Sequence, residues 1–297
     1  MSIDLGNAPV GTPPTDEQKT QIRKSIAAFA PTAIGPVASF LDPDYFGIFE
    51  DGNLAIPKNI ADITSLTVTD TEEAASGRLL LTPLTSLQTV VIDSPASPEE
   101  LQIEVANHQS LETFTLNHIS VYSLDFSNCT SLTSINTLYA WNAYYNFTGC
   151  TSLLTATVGG GLGDLDLTPC TSLTSFSINS SNFTSLDFTG LENLTSIQLN
   201  LSYVNFLYIT NCSSLNSLVS SDQQNITSLD ISGCPLLLTL NLTGMYTTES
   251  VNSILIQLDE NGLEDGYVDV TSYEGPTGDG ITAAANLVAK GWTVITA

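Results

Sequence analysis

Apolar residues between Leu84 and Leu242 repeat with a period close to 21 residues. Each repeat can be aligned on a reference position that is followed by leucine at +3, a hydroxyl residue at +5 and an apolar residue at +6. The reference positions are Leu84, His108, Cys129, Cys150, Cys170, Leu191, Cys212 and Cys234, spaced 24, 21, 21, 20, 21, 21 and 22 residues apart. The leucines at +3 are Leu87, Leu111, Leu132, Leu153, Leu173, Leu194, Leu215 and Leu237. This period is too short for paired-helix repeats and predicts short stacked turns.

Each repeat contains two apolar pairs with the two-residue spacing of a β-strand. One pair precedes the reference position, as Leu186 and Phe188 do, and the other follows it, as Phe176 and Ile178 do. A single turn cannot bury its own apolar face, so neighbouring turns must stack and share one core. The pattern therefore predicts a β-rich solenoid, α/β overall, with about eight turns of ~21 residues over residues 81–246.

The segments on either side of the repeats differ from them in pattern. Residues 1–30 predict an extended Gly/Pro arm and a helix from Thr15 to about Ala30, which Pro31 ends. Residues 31–80 show no repeat and predict an N-terminal cap over the open end of the solenoid. Residues 247–297 predict an α/β C-terminal cap that seals the other end. Its predicted elements are a helix Glu249–Leu258 capped by Thr248 and closed at Gly262, a strand Tyr267–Val270, a turn Pro276–Gly280, a helix Ile281–Lys290 and a strand Trp292–Ile295.

All five cysteines occupy reference positions, where leucine stands in other repeats. Their number is odd and their spacing is that of whole turns, which favours small buried core residues over a disulfide framework. The two histidines, His108 and His118, have no close cysteine or histidine partners in the sequence. No metal and no cofactor are therefore expected.

The chain is strongly acidic and its basic residues are confined to its ends. It carries 31 acidic against 6 basic residues, a net charge of −25, and has no lysine or arginine between Arg78 and Lys290. Nucleic acid and anionic membrane surfaces are excluded as expected partners, because both are bound through basic side chains. The sequence also predicts no secretory signal peptide and no membrane-spanning segment. The Asn-x-Ser/Thr triplets are interpreted as a by-product of the repeat composition.

No catalytic motif is present, so the chain is not expected to be an enzyme. The run from Gly159 to Gly163 lacks the lysine of a phosphate loop and predicts a turn between strands. Four positions before the reference, the outward-facing residues are Asp125, Asn146, Asp166, Asp187, Tyr208 and Asp230. Stacking would place Asp166 beside Asp187 at about 4.8 Å, a spacing that calcium could bridge. Solvated surface acids are the preferred interpretation of this row, and no metal site is assigned.

The hydroxyl residues at +5 predict a hydrogen-bonded row along the stack, or else an outward polar stripe. Ligand binding is assigned not to these hydroxyls but to aromatic residues, chiefly in the segment where the sequence departs most from the repeat pattern. Tyr139, Trp141 and Tyr144 fall in a stretch that links two strands, while Trp141, Tyr203 and Tyr246 share one register and should line one edge. Exposed aromatic rings suit neutral glycans or protein loops. Partial burial under a loop is the alternative for these five residues.

The repeat sequence resembles the leucine-rich repeats of bacterial surface proteins. A representative repeat reads CTSLTSFSI from the reference position Cys170, followed by FTSLDFTG before the next reference position. In that subclass the concave strand follows Cys-x-x-Leu, whereas in the general class it precedes the cysteine, and both registers remain open here. The opening SIDLGNAPVGTPPTDEQKTQIRKSIAAF is similar to N-terminal segments of tailed-bacteriophage tail fibres and related virion appendages. The last 50 or so residues also look like the C-terminal unit of repeat-bearing phage and marine bacterial proteins.

These resemblances imply a virion appendage or decoration protein whose arm contacts other virion proteins and whose solenoid faces a host glycan or protein. Homo-oligomerisation through the arm is a further expectation, and a mobile leader is the alternative for this arm. A bacterial cell-surface adhesion protein is the second hypothesis, with localisation at the cell surface instead of the virion. An intracellular recruitment module would call for a more varied and more charged binding face.

Overall fold

A computed structural model describes residues 2–4, 64–69, 77–81, 85–93, 101–118, 120–138, 140, 143–202, 204–220, 226, 229–242, 247–271 and 275–296. The helix predicted from Thr15 to Ala30 and most of the predicted N-terminal cap lie outside these residues. The chain divides into two compact units, Met1–Cys150 and Thr151–Ala297. Both units consist of stacked parallel turns, so the fold is a parallel β-solenoid of leucine-rich-repeat type, as the periodicity predicts.

In the first unit every complete turn contributes two strands. Those that follow the reference position, here called main strands, pair in parallel in chain order: β2 (Ser65–Thr69), β4 (Thr89–Asp93), β6 (Thr113–Asn117) and β8 (Ser134–Thr137). Those that precede it, the side strands, form a second parallel sheet: β3 (Gly77–Leu80), β5 (Leu101–Glu104), β7 (Val121–Asp125) and β9 (Tyr144–Asn146). Strand β1 (Ser2–Asp4) pairs antiparallel with β2.

The second unit repeats this arrangement, and two of its main strands are longer than any strand of the first unit. Its main strands run in chain order as β10 (Thr155–Gly159), β12 (Ser175–Asp187), β13 (Ser196–Ser202), β15 (Ser217–Ser220), β16 (Thr239–Asn241), β17 (Tyr267–Asp269) and β18 (Thr293–Ile295). The side strands β11 (Leu162–Asp166) and β14 (Phe206–Tyr208) pair with the second half of β12, which therefore serves both sheets.

The solenoid begins one turn earlier than the sequence predicts. Ser65 and Leu66 pair in register with Thr89 and Val90, the +5 and +6 residues of the first recognised repeat. Residues 31–80, expected to contain no repeat, thus include a main strand and the side strand β3. The earlier turn escapes the leucine-based pattern because Ile63 stands where the other turns have leucine.

The bend at each reference position uses residues that tolerate positive φ. Asn128 (φ 59°) and Gly149 (φ 81°) directly precede the references Cys129 and Cys150. Two successive tight turns follow, in which the Cys129 amide donates to the Phe126 carbonyl and the Leu132 amide to the Cys129 carbonyl. Asparagine and glycine adopt this left-handed conformation at low cost, which explains why they recur there.

The core contains the residues that the periodicity assigns to it. All eight leucines at +3 are fully buried, and so are the apolar residues at +6, which are Val90, Phe114, Ile135, Ala156, Phe176, Ile197, Leu218 and Leu240. In the first unit Phe126 packs edge-on against Phe114, with ring centroids 5.0 Å apart, and stacks on Phe147 at 5.6 Å. Each turn thus buries its apolar residues against the next.

The prediction that the cysteines are core residues is confirmed. All five are fully buried, and none of them, each lying in the described part of the chain, forms a disulfide. The Cys129 thiol donates to the Val105 carbonyl at 3.2 Å and the Cys150 thiol to the Phe126 carbonyl at 3.1 Å, each reaching back to the preceding turn. Burial raises the pKa of Cys129 to about 11, and burial together with the Cys129 thiol raises that of Cys150 to about 12. These thiols are therefore protonated and unreactive.

The C-terminal segment continues the main sheet with helices in place of side strands. Helix α1 (Thr248–Asn261) precedes β17, and helix α2 (Gly278–Ala289) precedes β18. The N-cap of α1 is Thr247, not the predicted Thr248, because the extended Thr247 accepts the Ser250 amide; Gly262 closes the helix at φ 71° as predicted. Helix α2 begins three residues before the predicted Ile281, since the predicted turn already contains its first residues.

The two helices are joined by polar contacts that involve Asp259. The Lys290 ammonium donates to the Asp259 carboxylate at 2.6 Å and to its carbonyl at 2.7 Å, and the Asn286 amide donates to the same carboxylate at 2.8 Å. Lys290 is the one lysine or arginine whose side chain falls within the described part of the chain. In that part, no helix is both long enough and apolar enough to cross a membrane.

Candidate binding surface

The acidic row four positions before the reference closes the turns. Asp187 accepts the Thr189 amide at 2.9 Å, and Asn146 accepts the Thr148 amide at 3.0 Å. The same contact occurs at Asp125, Asp166, Asp230 and, in the helical segment, Asp269. Asp166 and Asp187 are paired in register as predicted, but each has one oxygen engaged in its own turn. Among the described residues no group of three or more histidine, cysteine or acidic side chains is placed to hold a metal ion.

The hydroxyl row at +5 is engaged within the sheet where its contacts are defined. The Thr113 hydroxyl donates to that of Thr89 at 3.2 Å, and the Ser196 hydroxyl to that of Ser175 at 3.0 Å. The predicted hydrogen-bonded row is confirmed at these two pairs. Because these hydroxyls bond to one another, the hydrogen-bonding capacity of this row is already partly satisfied within the sheet.

The side strands are less regular, and each unit contains a bulge in them. In the first unit the register between β5 and β7 shifts, so that Leu101 pairs with Val121 but Ile103 pairs with Leu124. As a result, Tyr122 and Ser123 are both exposed, although strict alternation would turn one of them inward. A β-bulge turns side chains outward without disturbing the core, and bulges are common next to functional sites.

The bulge brings two exposed tyrosines together on neighbouring side strands. The rings of Tyr122 and Tyr144 are tilted by 55° with centroids 5.7 Å apart, and the residues are 59% and 48% exposed. Tyr144 is thus exposed as predicted, but it is the first residue of β9 and does not lie in a linking stretch. The next aromatic residues point inward: Tyr145 shares a hydrogen bond with Thr137 at 2.8 Å, and Phe147 is buried.

The second unit has a similar exposed aromatic pair on β14. Phe206 and Tyr208 flank the buried Leu207, and each is 49% exposed. They pair in register with Ser185 and Asp187 of β12. Sequence reasoning missed this pair, although the alternation Phe206-Leu207-Tyr208 in a side-strand register was a usable signal. Of the other predicted binding residues, Tyr139, Trp141, Tyr203 and Tyr246 lie outside the described residues, so their placement stays a prediction.

These aromatic surfaces are accompanied by acceptors and hydroxyls and by no described basic side chain. In the first unit Asp125 and Asn146 pair on the same two strands as the tyrosines. In the second, the Ser185 hydroxyl donates to the exposed Asp164 carboxylate at 2.7 Å beside the Phe206 strand. Such a surface can stack on a flat neutral partner and accept its hydroxyl or amide hydrogens, whereas an anionic partner would meet only like charge.

No protein-family model matches the chain, and no curated protein is significantly similar to it in sequence. Among solved structures, this chain is similar to the functional domain of InlJ from Listeria monocytogenes, which includes a cysteine ladder. The match covers 71% of this chain and 75% of the InlJ chain, at 16% sequence identity. The TM-score of 0.27 is too low to relate the two architectures in detail. The leucine-rich-repeat solenoid assigned to this chain follows from its own repeat, its strand registers and its buried reference positions.

Proposed function

We propose that this chain is a non-enzymatic recognition protein that binds a neutral glycan or a protein surface through the exposed aromatic residues of its side strands. The Tyr122–Tyr144 pair carries the proposal. Two half-exposed phenol rings stand on paired strands above a close-packed core, so little conformational entropy is lost when a ligand stacks on them. Aromatic residues presented in this way are frequent at binding hot spots.

The charge distribution supports a ligand without negative charge. Residues 79–289 contain no lysine or arginine, so no salt bridge from either residue type to a sulfate, phosphate or carboxylate can form there. The carboxylates and amides near the aromatic pairs can accept hydrogen bonds from sugar hydroxyls or peptide amides. A neutral polysaccharide or an uncharged protein loop therefore fits this surface better than an anionic polymer.

The proposed setting is a bacteriophage virion, where the chain would be an appendage or decoration protein attached to other virion proteins through residues 1–30. The resemblance of this arm to tail-fibre segments supports that setting. A bacterial cell-surface adhesion protein is the second candidate, supported by the resemblance of the repeats to those of bacterial surface proteins. Immunodetection on purified virions and on washed cell envelopes separates the two, because only the true setting retains the protein through gradient purification.

Binding can be tested with an array of neutral and anionic oligosaccharides, followed by titration of the best neutral ligand. We expect Tyr122→Ala with Tyr144→Ala to weaken binding by ~1–3 kcal/mol, with the melting temperature nearly unchanged because both rings are exposed. Tyr144→Phe keeps the ring and should retain most affinity. Leu236→Ala, at a half-exposed leucine outside the side strands, serves as the matched control. Unchanged affinity of the double variant, or stronger binding to anionic sugars, would contradict the proposal.

A further inference from the structure

An exposed tyrosine pair of the first unit is placed for a chemical reaction as well as for ligand binding. The ring centroids of Tyr122 and Tyr144 are 5.7 Å apart, and the residues are 59% and 48% exposed. Ser123 pairs in register with Tyr144, so Tyr122 lies diagonally across β7 and β9 from Tyr144. Two phenols this close, both reached by solvent, meet the geometric requirement for a reaction between their rings.

The two strands hold the tyrosine backbones in place, while the rings remain able to rotate. Leu124 and Tyr145 pair in register one residue further on, Leu124 is fully buried, and Tyr145 shares a hydrogen bond with Thr137 at 2.8 Å. Strands β7 and β9 are therefore fixed against the core directly beside the two rings. Exposed side chains change rotamer within nanoseconds. The rings can thus come into edge contact without any movement of the backbone or the core.

Other oxidisable side chains in the described part of the chain are shielded or stand beside a group that is not a phenol. All five cysteines are buried, and Trp292 is buried with its indole N–H donating to the Leu263 carbonyl at 2.9 Å. Tyr208 is half-exposed, but the residue paired with it on β12 is Asp187. A one-electron oxidant in solution therefore meets two adjacent phenols at the tyrosine pair of the first unit.

We propose that Tyr122 and Tyr144 form a modification site at which a one-electron oxidant, namely a haem peroxidase supplied with hydrogen peroxide, couples the two rings into a dityrosine cross-link. Each phenol gives one electron to the oxidant and its hydroxyl proton to water. The two radicals then join through a new bond between ring carbons ortho to the hydroxyls. The hydrogens of those carbons are transferred to the oxygens, which restores both phenols. The protein loses two hydrogen atoms, and one peroxide is reduced to two molecules of water.

The cross-link joins two turns covalently. Tyr122 and Tyr144 are 22 residues apart, so the bond closes a loop that restricts the unfolded chain, as a disulfide does. In a stack whose turns contact only their neighbours, local opening separates one turn from the next. The five cysteines are free thiols. A dityrosine on the side strands therefore provides a covalent connection between turns that the buried cysteines do not provide.

The test is oxidation of the full chain at low protein concentration with a haem peroxidase and hydrogen peroxide. We expect dityrosine fluorescence and a monomer whose mass is lower by two hydrogen atoms. Digestion requires a protease that cuts at acidic residues, since residues 79–289 contain no lysine or arginine. Asp125 separates the two tyrosines in the chain, so the product should be two peptides linked through Tyr122 and Tyr144.

Substitutions that keep the ring and remove the phenol identify the site. Tyr122→Phe and Tyr144→Phe should each abolish this link. Tyr208→Phe removes a half-exposed phenol of the second unit and should leave the yield unchanged, which makes it the matched control. Oxidation in urea should lower the yield about 10-fold or more, because the fold and not the chain brings the rings together. An equal yield in urea, or a link that maps to other tyrosines in place of this pair, would overturn the proposal.

Thermal unfolding measures the consequence of the bond. The cross-linked natural chain should melt roughly 5 °C or more above the untreated chain, because the closed loop restricts the unfolded state. Tyr122→Phe taken through the same oxidation should melt as it did before treatment. The reaction needs no ligand and no binding is measured, so these outcomes are independent of the proposed recognition function. An unchanged melting temperature at full cross-linking would overturn the role of the bond as a connection between turns.

Discussion

The main and side strands of this solenoid carry out different tasks within the same turns. Main strands pair without a register shift in every described pairing, and their +5 hydroxyls bond to one another in both units. Side strands contain a bulge in each unit and present Tyr122, Tyr144, Phe206 and Tyr208 to solvent. The regular sheet thus maintains the stack, and the irregular one is free to vary its surface.

This difference has a physical origin in how a parallel stack is stabilised. A main strand lies between two neighbours with the same pattern, so an added residue would shift every inward side chain of that strand to the outside. A side strand tolerates an added residue, because the turn that follows is closed locally by the Asp/Asn contact four positions before the reference. The side strands can therefore differ from one turn to the next, because the register is restored within a few residues after each of them.

The largest predicted effect is a difference in the free energy of unfolding between two alanine variants of the first unit, one at a buried and one at an exposed aromatic residue. Phe126→Ala removes a buried ring that packs on Phe114 and Phe147 and should lower the free energy of unfolding by ~3–5 kcal/mol. Tyr122→Ala, four residues earlier on the same strand segment, should change it by no more than about 0.5 kcal/mol. Urea unfolding of both variants measures this contrast. A large loss in Tyr122→Ala would assign that ring to the fold and remove it from the binding surface.

An intermediate effect is expected at the cysteines, which join the two strand sets at the reference position. Cys150→Ser places a hydroxyl in an apolar site and should cost ~1–3 kcal/mol, whereas Cys150→Ala should keep the apolar character at the cost of a small cavity. Because burial contributes to raising the pKa of Cys150 to about 12, its thiol should not react with iodoacetamide at neutral pH until the chain is unfolded.

Thermal unfolding with and without dithiothreitol or EDTA tests whether disulfides or metal ions stabilise the fold. Neither dithiothreitol nor EDTA should change the melting temperature, since the cysteines are buried thiols and the acidic row closes turns. A marked loss with the reductant would contradict the thiol assignment. A marked loss with EDTA would instead restore calcium bridging along Asp125, Asp166, Asp187 and Asp230.

The smallest effect concerns the turn-closing carboxylates of the side strands. Hydrogen bonds from the Ser232 hydroxyl and amide lower the pKa of Asp230 below its ordinary value of 3.8. Their contribution to stability is therefore fully present above that value and is lost as pH falls through the folded-state pKa. Asp230→Asn keeps an acceptor oxygen but cannot titrate, so its stability difference from the natural chain should shrink on acidification.

Thermal unfolding between pH 6 and roughly pH 3 measures this change. Asn146→Asp is the reverse control, since Asn146 makes the same turn contact in the first unit and would acquire the dependence that Asp230 loses. Parallel pH profiles for Asp230→Asn and the natural chain would show that this contact does not contribute to acid stability.

The sequence by itself determined the solenoid, its period and its core. Leucine at +3 and cysteine at the reference position are buried as predicted, because a 21-residue turn has few inward positions and each must be apolar. It also determined the C-terminal helices to within a few residues, because Gly262 and Gly291 stop them. The turn-closing role of the acidic row has a sequence signal, the pattern Asp/Asn-x-Ser/Thr. The same residues also fit an outward-facing charged stripe, so the pattern alone did not reveal this role.

Only the tertiary structure decided which aromatic residues form a surface. Tyr122 and Tyr144 are 22 residues apart in the chain and become neighbours through a bulge whose register shift no local pattern announces. It also decided how deeply aligned residues of the C-terminal strands are buried, since Val268 is fully buried whereas Val294, which pairs with it in register, is half-buried. Period and burial follow from residue type repeated along the chain, whereas exposed contacts depend on strand register and on what lies beside each strand, which are properties of the assembled fold.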